Sequence, residues 1–136
     1  MYDNKIAIVI MDDLLTWQKL NITAFLAGSV AIRLPETHGA ELVSASGTAY
    51  LPFFKQPILI YKADTGDQLI RAFNRAKDRQ LHMGIYTRNH FSTKTEAENI
   101  AEIARHTDGN LDLVGIIVYG PNKKVDKALD GLRFHS

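Results

Sequence analysis

Four stretches of the chain carry the hydrophobic density of β-strands. Ile6–Ile10 and Leu113–Tyr119 are apolar at nearly every position, which predicts central strands covered on both faces. Ile58–Lys62 has the same character over a shorter length. Met83–Asn89 mixes Ile85 and Tyr86 with Thr87 and Arg88, so it is placed nearer an edge. Between these runs the apolar period changes to that of helices. Trp17–Ile32 has a stripe at 17, 20, 24, 27 and 31, with Ile22, Phe25, Leu26 and Val30 on the remaining surface. A helix apolar nearly all round is covered on more than one side. Its small positions, Ala24, Ala27 and Ala31 with Gly28 nearby, are expected against the sheet. Its bulky side is expected against another helix or a second subunit.

A second helix is predicted from about Gly66 to Arg79, capped by Asp64 or Thr65 and burying Leu69, Phe73 and Ala76. A third is predicted to start near Thr93, where Thr93-x-x-Glu96 has the capping-box pattern. It should bury Ala97, Ile100, Ala101 and Ala104 and stop at Asp108–Gly109–Asn110. After Gly120–Pro121 a short tail helix packs Val125, Leu129 and Leu132. Strands alternating with helices imply a layered α/β sheet with helices on both faces. Glu36–Gln56 interrupts the alternation. Ser44–Ala45–Ser46–Gly47 reads as a turn between two short extended pieces, followed by Tyr50, Phe53 and Phe54. Such a segment forms either a lid or interface, or a small hairpin with its aromatics in the core.

Length and composition narrow the class. The 136 residues are read as one domain, 1–136, with the irregular insertion at about 34–57. No cysteine is present, so disulfides and thiol chemistry are excluded. The apolar run near the start is too short for a membrane span or signal peptide, and a cytoplasmic protein is expected. With 16 basic and 15 acidic residues the net charge is +1, which gives no support for DNA binding and little for RNA. Arg71, Arg75, Lys77 and Arg79 read as one solvated helix face.

Several catalytic motifs are missing, among them the nucleophile elbow, the phosphate-binding loops and the zinc-helix motif. The five histidines have no ligand spacing, so neither a metal nor a cofactor is expected. What remains is polar and lies at strand ends. Asp12 and Asp13 close the first strand, Lys19 lies in the opening turn of the next helix, and Asn89, His90, Ser92 and Thr93 follow the third strand. Ligands of open α/β sheets bind beyond the carboxyl ends of strands. Asp13, Thr16 and Thr93 are also of the residue types that cap helices, and the two roles are compatible.

These residues carry a resemblance. K-I-A-I-V-I-M-D-D-L followed by Lys19 and an alanine-rich helix is similar to the first strand and lysine helix of the type II peptidyl-tRNA hydrolase superfamily. Met83–Thr93 lies where those enzymes carry D-A-G-R-T. V-G-I-I-V-Y-G-P, with Val125–Asp126 and Leu129–Leu132 after it, is similar to their closing strand and tail. The chain resembles that superfamily, and more closely an uncharacterised bacterial family within it, over all but roughly residues 34–57. The resemblance implies a small mixed four-stranded sheet with helices on both faces, commonly as a homodimer. It places Lys19, Asn89 and Thr93 at the catalytic positions and Asp13 beside a ligand, and the strand-end position of His90 adds that residue to the expected ligand site.

The departures bear on activity. Gln18 stands where the family has glycine, and Asn89 where it has aspartate, four positions before Thr93. An asparagine cannot act as a general base near neutral pH. His90 is the alternative base, but strand alternation separates it from Asn89 unless the strand has already ended. The expectation is a domain that binds a small-molecule, nucleotide-like or RNA-end ligand at this corner, with hydrolase activity altered or lost. The alternatives are an ester hydrolase acting on peptidyl- or aminoacyl-tRNA, and a non-catalytic homodimeric interaction protein.

Overall fold

The computed structural model describes residues 2–136. Its centre is β1 (Asn4–Met11), flanked by two strands from the later chain. The short hairpin strands β2 (Leu42–Val43) and β3 (Ala49–Tyr50) pair only with each other. On one side β4 (Ile58–Ala63) runs parallel to β1, with Ile6 opposite Ile58 and Met11 opposite Ala63. Beyond β1 on the other side comes β6 (Leu113–Pro121), antiparallel to it, and then β5 (His82–Thr87), antiparallel to β6. A final strand, β7 (Arg133–Phe134), pairs antiparallel with the outer side of β4.

The main sheet is therefore mixed and five-stranded, in the order β5-β6-β1-β4-β7. The expected four strands are present. The fifth arises because the tail turns back after its helix and Tyr61 stacks on Phe134 at 4.7 Å between ring centroids. The continuous apolar runs are the central strands, as their lack of alternation predicted: from Ile6 to Met11 and from Leu113 to Gly120 every residue is buried.

Helices α1 (Thr16–Arg33), α2 (Gly66–Asp78), α3 (Glu96–Ala104) and α4 (Asn122–Ala128) complete the fold. α1 covers one sheet face and α2 with α4 the other. A Cβ on Gly115 would meet Ile22 and Leu26 of α1, whereas one on Gly120, of opposite parity along β6, would meet Leu81 just past α2. Ile22, Leu26 and Val30, one row at helical spacing, make the buried face of α1.

This reverses the expected orientation of α1. Its bulky row faces the sheet, and the small residues that permit close approach are Gly84 and Gly115 in the strands. The stripe Trp17, Leu20, Ala24, Ala27 and Ala31 lies on the opposite side, where Leu20 is 65% exposed. Large side chains opposite bare backbone bury more apolar area than alanines could, which decides the face.

α2 follows expectation. The Thr65 hydroxyl accepts from Gln68 N–H, and Leu69, Ala72, Phe73 and Ala76 are buried. α3 does not. Thr95 and Glu98, not Thr93 and Glu96, form its capping box, and its buried residue is Glu102. Ala97, Ile100, Ala101 and Ala104 are exposed, because Glu102 is drawn inward by charged and amide partners that the apolar period cannot register. Nor do Asp13 and Thr16 cap α1. Leu15 is its N-cap residue, and the Leu15 N–H donates to the Gln18 side chain at 3.0 Å. The 36–56 segment contains the predicted turn, with Gly47 at φ 85°, where glycine avoids the steric penalty on L side chains. Tyr50 and Phe53 are exposed, so that hairpin does not deliver these aromatics to the core. None of the described helices is long and apolar enough to cross a membrane.

Candidate functional site

β5 ends at Thr87, and Arg88–Ser92 form a 3-10 turn. This turn and α3 stand across from the first three turns of α1, leaving a groove of about 660 Å³. Trp17, Phe25, Tyr86 and Phe91 line it together, with Asn21, Thr93 and Asn99 as polar lining. The rings are mutually braced. Trp17 meets Phe91 edge-on at 5.5 Å, and Tyr86 lies 5.0 Å from Phe91 and 6.0 Å from Phe25. Burial raises the pKa of Tyr86, whose hydroxyl donates to Asn21 Oδ1 at 3.1 Å. That leaves the Asn21 amide NH₂ as a donor, in a groove of flat apolar faces and a few amides.

His90 and Thr93 line this groove. His90 is a strut and not a base. Its Nδ1 accepts the Thr87 backbone N–H at 3.1 Å, and its Nε2–H donates to the Asn99 carbonyl at 3.3 Å. Both ring nitrogens are thereby committed, and no lone pair is left for a substrate proton. The Thr93 hydroxyl bonds the Asn99 side chain. Asn89 turns to Glu102 instead, donating from Nδ2 to Oε2 at 3.3 Å. His106 Nε2 lies 2.8 Å from the same oxygen, and Arg105 pairs with the other. The Asn89 bond, then His106 and Arg105, outweigh the desolvation of Glu102 and hold its pKa at about 2. The end of β5 frees Asn89 and His90 from strand alternation, yet their partners still separate them.

Lys19 belongs to a second cluster, on the β4 side of α1. Its Nζ lies 3.0 Å from Asp12 Oδ1 and 3.0 Å from His135 Nε2. Lys62, near the end of β4, approaches Asp12 Oδ2 at 3.7 Å. Asp12 N–H donates to the Ala63 carbonyl, so the β1–β4 ladder extends one residue past β1 and aims Asp12, not Asp13, at Lys19. The Lys19 hydrogen bond leads the causes that lower the Asp12 pKa, against desolvation. α1 leaves β1 toward one face and α2 leaves β4 toward the other, so this cluster occupies a topological switch point at the strands' carboxyl ends.

The five residues expected around one corner are thus divided. Thr93 and His90 line the aromatic groove, Asn89 stands behind it on Glu102, Lys19 lies on the other flank of α1, and Asp13 is exposed outside both clusters. Among the described residues no hydrogen bond or ion pair joins Lys19 to Asn89 or Thr93. Sequence reasoning missed Asp12, Lys62, His135 and Glu102 as partners. Only Asp12 left a signal, as the next residue along the Ile8–Ile10 row of β1. Among the described residues, no group of three or more His, Cys, Asp or Glu side chains is placed to hold a metal ion.

The comparisons with known proteins agree with the fold and name no activity. A family model described as "Protein of unknown function (DUF2000)" matches residues 4–136. A solved structure of a protein of unknown function from Agrobacterium tumefaciens strain C58 is similar over 100% of both chains, with 31% identity and a TM-score of 0.95. No curated protein matches the chain.

Proposed function

Since the chain belongs to the DUF2000 family, whose description states no activity, we propose from its own geometry that it is a small-ligand binding domain. The ligand carries a planar, nucleobase-like ring, and hydrolysis of the peptidyl-tRNA type is altered or lost. The aromatic groove carries this reading. Its volume of about 660 Å³ suits a mononucleotide-sized ligand, and Trp17, Phe25, Tyr86 and Phe91 offer stacking faces beside the amides of Asn21 and Asn99. The position expected to bear a general base is occupied by Asn89, which is bound to Glu102. A cytoplasmic location and the peptidyl-tRNA hydrolase II type of fold belong to the same proposal.

Trp17 is the only tryptophan, so its fluorescence reports the groove directly. Titration with adenosine and AMP is expected to quench it saturably. Phe91→Ala is expected to weaken binding about tenfold, the scale of one lost stacking contact of about 1–3 kcal/mol. Absence of quenching by either compound at millimolar concentration overturns the reading.

One observation favours a second reading, an ester hydrolase of the switch-point corner. Lys19, Asp12 and His135 meet there, giving an oxyanion donor, a carboxylate and an imidazole. With its ammonium drawn to a substrate carbonyl, Lys19 would release His135 Nε2 to accept a proton from water. Cleavage of peptidyl-tRNA that is lost in both Lys19→Ala and His135→Ala, and kept in Phe91→Ala, selects this reading over the first.

A further inference from the structure

Every residue from 40 to 53 is exposed, although the stretch includes Leu42, Val43, Tyr50, Leu51 and Phe53. Its two strands are two residues each, and such a hairpin is marginal in water by itself. It holds one charge, Glu41, in a chain where 23% of residues are charged. Along the outer side of α1 runs a second uncharged surface: Leu20, Ala24, Ala27, Gly28 and Ala31. A Cβ added at Gly28 would touch nothing within 4 Å, so another backbone can approach there. At Ala31 this stripe runs into an apolar groove of about 690 Å³ beneath the arm, bounded by Pro52, Phe53, Phe54 and Pro57. Charge depletion around large apolar side chains is the composition of an interface core.

The area argues for what covers these surfaces. A compact monomer of 15.2 kDa exposes about 7,100 Å² by the size scaling of folded monomers, whereas this chain exposes 8568 Å². The excess, about 1,500 Å², exceeds the roughly 800 Å² that each partner buries in a standard interface. Arm and stripe are both apolar and both on one chain, so each copy can offer its arm to the other's stripe, the reciprocal arrangement of a twofold interface.

We infer that the chain pairs with a second copy of itself, the 40–53 arm of each copy lying across the outer face of the partner's α1. The contact differs from the expectation read from the sequence, because the small-residue stripe and not the bulky row meets the partner. The inference is independent of the ligand in the aromatic groove.

Sedimentation velocity at 50 µM is the first test, with a dimer expected for the unmodified chain. Ala24→Glu is expected to give a folded monomer, because residue 24 is exposed and away from the core. Since the chain has no cysteine, a tagged Val43→Cys chain mixed with an Ala24→Cys chain of different size tests the geometry. A disulfide between unlike chains under mild oxidation is expected. A monomeric unmodified chain overturns the inference, as does a dimer that survives Ala24→Glu and gives no unlike-chain disulfide. AMP quenching in the monomeric Ala24→Glu variant checks the ligand reading separately.

Discussion

His135 places its Nε2 3.0 Å from the Nζ of Lys19, 116 positions earlier. The relationship determines a tautomer. An ammonium can only donate, so Nε2 must accept, and Nδ1 carries the proton that it donates to the Ser136 carbonyl at 2.8 Å. The His135 backbone N–H also donates to the Ile60 carbonyl, fixing the tail to β4. Neutral His135 is therefore expected as the Nδ1–H form, in contrast to His90, which is held as Nε2–H. Long-range ¹⁵N correlation spectra at pH 8 distinguish the two. Finding both rings in one tautomer contradicts the geometry of one of the clusters.

Asn89→Asp puts at this position the aspartate that the resemblance led one to expect, and harm is expected from it. The new carboxylate would stand where an amide now donates to Glu102 at 3.3 Å, setting two carboxylates in contact. One of the pair is expected to titrate well above its ordinary value, and α3 should loosen. No gain in peptidyl-tRNA cleavage is expected. Reduced hydrogen-exchange protection over 88–104 supports this outcome, and a catalytically improved variant with unchanged protection refutes it.

Acid sensitivity follows from Glu102. Its folded pKa of about 2 lies below the ordinary value of 4.5, so the unfolded chain binds the proton more readily. The carboxylate's contribution is complete above pH 4.5 and is lost as the pH falls through about 2. Glu102→Gln should remove this part of the pH dependence while lowering stability at pH 7. Urea midpoints at pH 7, 4 and 2.5 check both signs, and parallel curves for the variant and the unmodified chain contradict them.

Gly115→Ala should destabilise the fold without touching any polar group. The added Cβ would lie 2.7 Å from Ile22 Cγ2, closer than van der Waals contact allows, and 3.5 Å from Leu26 Cδ1. Overpacking of this kind costs about 1–3 kcal/mol. A companion Ile22→Val makes room and should recover part of the loss. Additive losses in the double variant show that the clash has been misplaced.

Sequence alone determined the four long strands, the α/β class, the position of the Ser44–Gly47 turn and the buried rows of α2 and α4. Each is legible because hydrophobic burial and turn chemistry act on residues a few positions apart. The continuous apolar runs of β1 and β6 and the Gly120–Pro121 entry to α4 are examples. Which face of α1 met the sheet was decided only by tertiary structure, since Gly115 and Gly84, over fifty positions away, made room for Ile22 and Leu26. The same holds for the site. Lys19 was visible as a charged residue near a strand end, but its partners are Asp12 and His135, and the last of these reaches it only because β7 closes on β4. Glu102 was hidden for a related reason. An apolar period assigns the exposed and buried sides of a helix by hydrophobicity, and α3 is oriented instead by hydrogen bonds to one carboxylate. Local pattern reports what a residue avoids. Charge pairing across the fold decides what it meets.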